Sequence, residues 1–169
     1  MSKKKNNTFP ENIRDFRLPR YHELPDMGLY LEQVTRYING FLVPFGCPEM
    51  TSSMVSNYVK KGVIVAPVKK LYNAQQIAYL IVIGFTKCVL SLENIICLFE
   101  MQKKSYEPEI AYDYFCSEFE NVLRFVCELK DTVESVGKTD TEEKTMLRNI
   151  IIAASHSIYI SNRFRELKQ

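Results

Sequence analysis

Residues 51–72 read Thr51-Ser52-Ser53-Met54-Val55-Ser56-Asn57-Tyr58-Val59-Lys60-Lys61-Gly62-Val63-Ile64-Val65-Ala66-Pro67-Val68-Lys69-Lys70-Leu71-Tyr72. Thr51 supplies a hydroxyl N-cap. Met54, Val55, Tyr58 and Val59 form an apolar stripe at helical spacing, and Gly62 stands where a helix end takes positive φ. The stretch predicts a short helix over 51–61. Its other face carries Ser52, Ser53, Ser56, Asn57, Lys60 and Lys61, and no acidic residue occurs from Thr51 to Gln75. Val63-Ile64-Val65, broken by Pro67 and resumed at Leu71-Tyr72 across Lys69-Lys70, predicts a small β-hairpin over 63–72.

Upstream, residues 1–25 are polar and interrupted by Pro10, Pro19 and Pro25. They predict an N-terminal arm, partly disordered. Leu31, Val34, Ile38 and Phe41 predict a helix over 28–42 with Asp26 as its cap. Pro44, Gly46 and Pro48 then force a loop. Downstream, Asn73 caps a helix with Ile77, Leu80, Ile81, Phe85 and Cys88 on its core side. Ser91 opens another, packing Ile95, Ile96, Leu98 and Phe99, and Pro108 sits near the first turn of a third. Phe115, Phe119, Val122, Val126, Leu129 and Val133 alternate four and three apart, a seam of about two and a half heptads. It suits a dimer interface or packing within the monomer against the last helix. That helix is opened by Asp140-Thr141-Glu142-Glu143, carries the stripe Leu147, Ile151, Ala154 and Ile158, and should run to about Arg163.

Composition bounds what this chain can be. Its 169 residues are 46% apolar and 25% charged, enough for a buried core and against a wholly disordered chain or a small disulfide scaffold. The net charge is only +2, but residues 1–75 carry eleven Lys/Arg against six Asp/Glu, and residues 76–169 eleven against fourteen. A basic front suits an anionic partner. Lys3-Lys4-Lys5 is followed by no apolar core of a secretory signal, and the run Ile77–Phe85 is far short of the ~20 residues of a membrane span. Cys47, Cys88, Cys97, Cys116 and Cys127 read as reduced core thiols, which with the missing signal points to the cytoplasm.

Catalytic and metal chemistry find little footing. No Cys-x-x-Cys pair is present, and neither His22 nor His156 has a histidine or cysteine three or four residues on. Gly137-Lys138-Thr139 lacks the second glycine of a phosphate loop, Thr132 standing in its place, and reads as an interhelical turn. Glu107, Glu109, Asp113, Glu118 and Glu120 read as a solvated acidic face. No nucleophile elbow occurs. The expectation is a non-enzyme with no cofactor and no metal.

Three motifs then carry a resemblance. Tyr58-Val59-Lys60-Lys61-Gly62-Val63-Ile64, Lys70-Leu71-Tyr72 and Leu90-Ser91-Leu92-Glu93-Asn94-Ile95 resemble, in order and spacing, parts of the DNA-binding domain of MerR-type transcription regulators. Where those proteins place an arginine two residues before the helix tyrosine, this chain has Ser56. Where they use a tight turn, it has the loop Phe41 to Met50. A closer likeness covers roughly 19–100. Pro19-Arg20-Tyr21-His22-Glu23-Leu24-Pro25-Asp26, Leu29-Tyr30-Leu31-Glu32-Gln33-Val34, Asn57-Tyr58-Val59-Lys60 and Lys69-Lys70-Leu71-Tyr72 resemble a family of uncharacterised bacterial proteins carrying a domain of unknown function.

The resemblance implies a mainly α fold with a MerR-like winged helix-turn-helix over 26–100 and a helical dimerisation or effector region over 101–169. The expected function is homodimeric binding of double-stranded DNA in transcription regulation. Ser52, Ser53, Ser56 and Asn57 lie nearest the bases, with Thr51 also on the DNA-binding side; Lys60, Lys61, Lys69, Lys70 and Arg36 hold phosphates; Tyr72 anchors the wing or touches the backbone. Tyr112, Tyr114 and Phe119 are candidates to line an effector pocket. Two alternatives stay open: a protein-interaction module using the same basic face, and a small-molecule sensor whose front domain is only structural.

Overall fold

The computed structural model describes residues 9–137 and 139–168. Residues 1–8 of the expected arm and Lys138 of the 137–139 turn lie outside them. Among the described residues the helices are α1 Phe9–Arg14, α2 Leu31–Leu42, α3 Ser52–Lys60, α4 Ala74–Thr86, α5 Leu92–Ser105, α6 Pro108–Val126 and α7 Glu142–Leu167. Short 3-10 turns occupy Tyr21–Glu23 and Val43–Phe45.

Most helix starts follow the capping residues. The side chains of Thr51, Asn73 and Ser91 accept from the N–H groups of Met54, Gln76 and Asn94 at 3.2, 3.0 and 3.2 Å. Pro108 opens α6. The first expected helix begins later, at Leu31, because Gly28 is left-handed (φ 82°) and Leu29 is engaged with Tyr72. The cap is therefore Tyr30, not Asp26, and the Tyr30 N–H donates to Gln33 at 2.9 Å. The expected heptad seam stops short as well. Glu128 takes φ 59°, and the Leu129 and Glu128 N–H groups donate to the Arg124 and Phe125 carbonyls at 2.9 and 3.0 Å. This two-bond C-cap is usually built on glycine. Phe115, Phe119 and Val122 are buried, whereas Leu129 and the exposed Val133 lie past the helix end.

The fold is mainly α, but the expected β-hairpin wing is not there. Among the described residues there is no strand, only the isolated antiparallel bridges Leu29–Tyr72 and Val68–Leu71. The reasons are local. Val63 and Ile64 are both buried in succession, which the alternation of a half-buried strand forbids. The Val65 carbonyl accepts from the Gln76 side chain at 2.8 Å, and Pro67 has no N–H to give. Without a wing, and with α2 and α3 joined by a 3-10 turn and a loop, the MerR-like winged helix-turn-helix is not supported. Asn39 fixes that loop: its amide donates to the Met50 carbonyl at 2.9 Å and its oxygen accepts from the Met50 N–H at 2.7 Å.

α4 is the central element, buried from Gln76 to Thr86 except at Tyr79. A chain of ring contacts ties the N-terminal residues to the C-terminal half through it: Phe16 to Phe45 (centroids 4.1 Å), Phe45 to Phe85 (6.0 Å), Phe85 to Phe119 (4.6 Å). α6 and α7 lie side by side in the same direction, with Tyr114 beside Lys144 and Glu118 paired to Arg148. The segment between them runs back along α6, where Asn121 donates to the Glu134 carbonyl at 2.7 Å.

Two members of the expected solvated acidic face are inside. Glu118 is fully buried and paired with Arg148; Glu120 is 7% exposed. Glu120 accepts from both Arg20 guanidinium nitrogens, at 2.8 and 3.0 Å, and from the Leu18 N–H at 2.7 Å. Asp113 accepts from the Tyr21 N–H at 2.7 Å. Residues 9–25 thus lie along the molecule, with Ile13, Leu18 and Leu24 buried. The cysteines are free; Cys116 and Cys127 are buried as expected, but Cys88 and Cys97 are exposed, Cys88 lying past the end of α4. Among the described residues no helix is long and apolar enough to cross a membrane.

Candidate nucleic-acid interface

α3 is held by Val55 and Tyr58, both buried, with Met54 and Val59 half-buried beside them. The opposite face is open: Thr51, Ser53, Ser56, Asn57, Lys60 and Lys61 are exposed and Ser52 is half-buried. Gly62 terminates the helix at φ 71°, with its N–H on the Val59 carbonyl (3.0 Å) and the Val63 N–H on the Tyr58 carbonyl (2.9 Å). This is the same two-bond cap as at Glu128, here on the residue that adopts it freely.

The chain then dives through Val63 and Ile64 and surfaces at a tight turn. The Leu71 N–H donates to the Val68 carbonyl at 2.9 Å, and the two residues between, Lys69 and Lys70, have φ of 50° and 66°. Positive φ at both central positions is the signature of a type I′ turn, where Asn-Gly is the relaxed choice. Both lysines are exposed. Exposed apolar side chains flank them: Val65, Val68, Tyr30 and Met27.

The expected site residues therefore divide. Ser53, Ser56, Asn57, Lys60 and Lys61 share one exposed helix face or its end, Lys69 and Lys70 share one turn, and Arg36 is exposed on α2. Tyr72 belongs elsewhere: it is 4% exposed, exchanges backbone hydrogen bonds with Leu29 at 2.9 and 3.0 Å, and burial pushes its phenol upward. It anchors the turn from below. Acidic neighbours are few but present. Glu93 holds its carboxyl below the ordinary range chiefly through hydrogen bonds at the start of α5, with a smaller pull from Lys61.

Sequence reading missed Lys87. Its ammonium donates to the Glu49 carbonyl at 3.3 Å, and partial burial lowers its pKa. It lines an open groove beside α3 together with Met54, Asn57 and Tyr58. Nothing in the local pattern around Lys87 signals this, because the contact depends on how α4 meets the 46–51 loop.

The effector-pocket residues are not brought together. Tyr114 lines a cavity of about 280 Å³ with Leu98, Met101, Tyr106, Ile110 and Leu147. Tyr112 lines a smaller neighbour of about 60 Å³, and Phe119 is in the core. No group of three or more His, Cys, Asp or Glu able to hold a metal ion occurs among the described residues.

Residues 19–115 match the family described as a domain of unknown function (DUF1836). Neither a curated protein nor a solved structure matches the chain. The matched span runs from the Pro19-Arg20 segment clamped by Glu120, through the exposed face of α3 and the lysine turn, to Phe115 on α6. It takes in more than half of the sequence, and on that extent the chain belongs to the DUF1836 family.

Proposed function

We propose that this protein binds double-stranded DNA through α3 and the lysine turn, and that it acts in transcription regulation. The observation that carries this reading is the outward face of α3: Ser53, Ser56, Asn57, Lys60 and Lys61 are all exposed, and the protein's own C-terminal half leaves them uncovered. A short helix of this kind fits a major groove, and hydroxyl and amide groups can both donate to and accept from base edges. Lys60, Lys61, Lys69 and Lys70 suit phosphates, which supply most of the affinity.

The test is fluorescence anisotropy with genomic fragments at two salt concentrations. Four to six phosphate contacts should weaken binding roughly a hundredfold or more between 50 and 200 mM salt. Lys60→Glu with Lys69→Glu should abolish it while leaving the circular dichroism spectrum unchanged. Absence of binding to any fragment at low salt would overturn the reading in favour of an acidic protein partner for the same face.

The 280 Å³ cavity favours a second reading, that the helical half holds a small, mostly apolar molecule. Filling it with Ala111→Phe should then remove any ligand-induced rise in Tm.

A further inference from the structure

The face of α7 turned away from the core carries a line of exposed apolar side chains, which a surface helix does not usually show. Its inner side is Leu147, Ile151, Ala154, Ser155, Ile158 and Asn162, of which all but the half-buried Leu147 are buried. At 100° per residue the outward side carries the polar row Asn149, His156 and Arg163, and beside it, opposite the core, runs the apolar line Met146, Ala153, Ile160 and Leu167, seven apart, with Phe164 next to it. All five are exposed: Met146 by 45%, Ile160 by 50%, Phe164 by 60% and Leu167 by 75%, with Ala153 also at the surface. From Asn149 to Asn162, nearly four turns, there is no Asp, Glu, Lys or Arg. Charged residues are depleted in just this way at the centre of protein interfaces.

The charges lie at the two ends and differ in sign. Glu142 is exposed on the same outer line in the first turn, while Arg163, Arg165 and Lys168 are exposed around the last turns. A second copy of α7 running antiparallel would set Met146 of one chain near the end that holds Phe164 and Leu167 of the other. It would also bring Glu142 to the basic end of its partner. A parallel copy would set Glu142 against Glu142 and the basic ends against one another. The seven-residue repeat drifts only ~20° per heptad around the helix, so a shallow left-handed supercoil keeps two such lines in contact over ~32 Å.

We infer that the outer face of α7 is a homodimer interface in which two copies of the chain pair their α7 helices antiparallel about a two-fold axis near His156. A two-fold axis makes each contact occur twice, so the Glu142 contact with Lys168 closes the assembly at both ends. The inference stands whether or not α3 binds DNA, since none of its residues belongs to that face.

Sedimentation velocity on the full chain, without nucleic acid, tests it. The 19.7 kDa chain should sediment as a species of twice that mass at micromolar concentration. Ala153→Glu with Ile160→Glu, both at exposed positions, should raise the dimer dissociation constant at least a hundredfold with unchanged helicity and Tm of the monomer. Glu142→Lys should weaken the dimer, and adding Lys168→Glu should restore it. A monomeric wild type up to 100 µM, or a dimer indifferent to Ala153→Glu with Ile160→Glu, would overturn the inference. Failure of Lys168→Glu to rescue Glu142→Lys would overturn the antiparallel arrangement.

Discussion

Lys69 and Lys70 occupy backbone conformations that L-residues enter at a cost of about 1–2 kcal/mol each. Strain of this kind is tolerated where the side chains are wanted in place. Replacing the pair by Asn-Gly should therefore raise the free energy of unfolding in urea by about 1–2 kcal/mol. If the DNA reading holds, the same change weakens binding at low salt, so stability and affinity move in opposite directions. A variant that loses stability would show that the lysine side chains, not their backbone, hold the turn. Residue identity announces the turn but not its strain: Lys-Lys carries no positive-φ signal, whereas Gly62 does, and it takes φ 71°. Glu128 is the counterpart. It ends α6 in a conformation that sequence reserves for glycine, so the apolar repeat at Leu129 and Val133 looked like more helix than there is.

Among the elements, legibility followed the caps and failed where partners are remote. Thr51, Asn73 and Ser91 marked their helices because a cap is a contact three residues long. The wing was misread because strand formation depends on what lies across from the segment. Here Tyr72 pairs only with Leu29, Val68 only with Leu71, and the Val65 carbonyl is taken by a glutamine side chain from α4. Glu118 and Glu120 looked solvated for the same reason, since Arg148 and Arg20 are 30 and 100 residues away. Helix contacts also explain one glycine. A Cβ at Gly84 would lie 2.9 Å from the Leu42 side chain, so α2 and α4 meet there at a spacing that excludes a methyl group. Gly84→Ala should cost about 1–3 kcal/mol in chemical denaturation through overpacking. Pairing it with Leu42→Val should recover part of the loss, and additive costs would show that the two positions do not touch.

Across the whole molecule the N-terminal segment is a structural member. Arg20 bridges Glu120 bidentately with side chains 19% and 8% exposed, and the hydrogen bonds hold the guanidinium pKa above its ordinary value. Removing one partner from a pair this enclosed leaves a desolvated carboxylate behind. Arg20→Met should cost about 3–5 kcal/mol, measured by urea unfolding, whereas breaking an exposed, solvent-screened pair such as Arg17 with Glu23 should leave the urea midpoint nearly unchanged. The motif Pro19-Arg20-Tyr21-His22, which carried the family likeness in the sequence, thus has a folding role: it docks on α6.

The Phe9 N–H lies 3.4 Å from the Glu166 carboxylate, and Asn162 donates to the Phe45 carbonyl 117 residues earlier, at 2.6 Å. Contacts so distant along the chain make folding wait on synthesis. While a ribosome is still adding residues beyond the hundredth, α4 has neither α6 nor α7 to cover it, and its oily surface is open to chaperones and to neighbouring nascent chains. Only when α7 has followed α6 does the molecule shut.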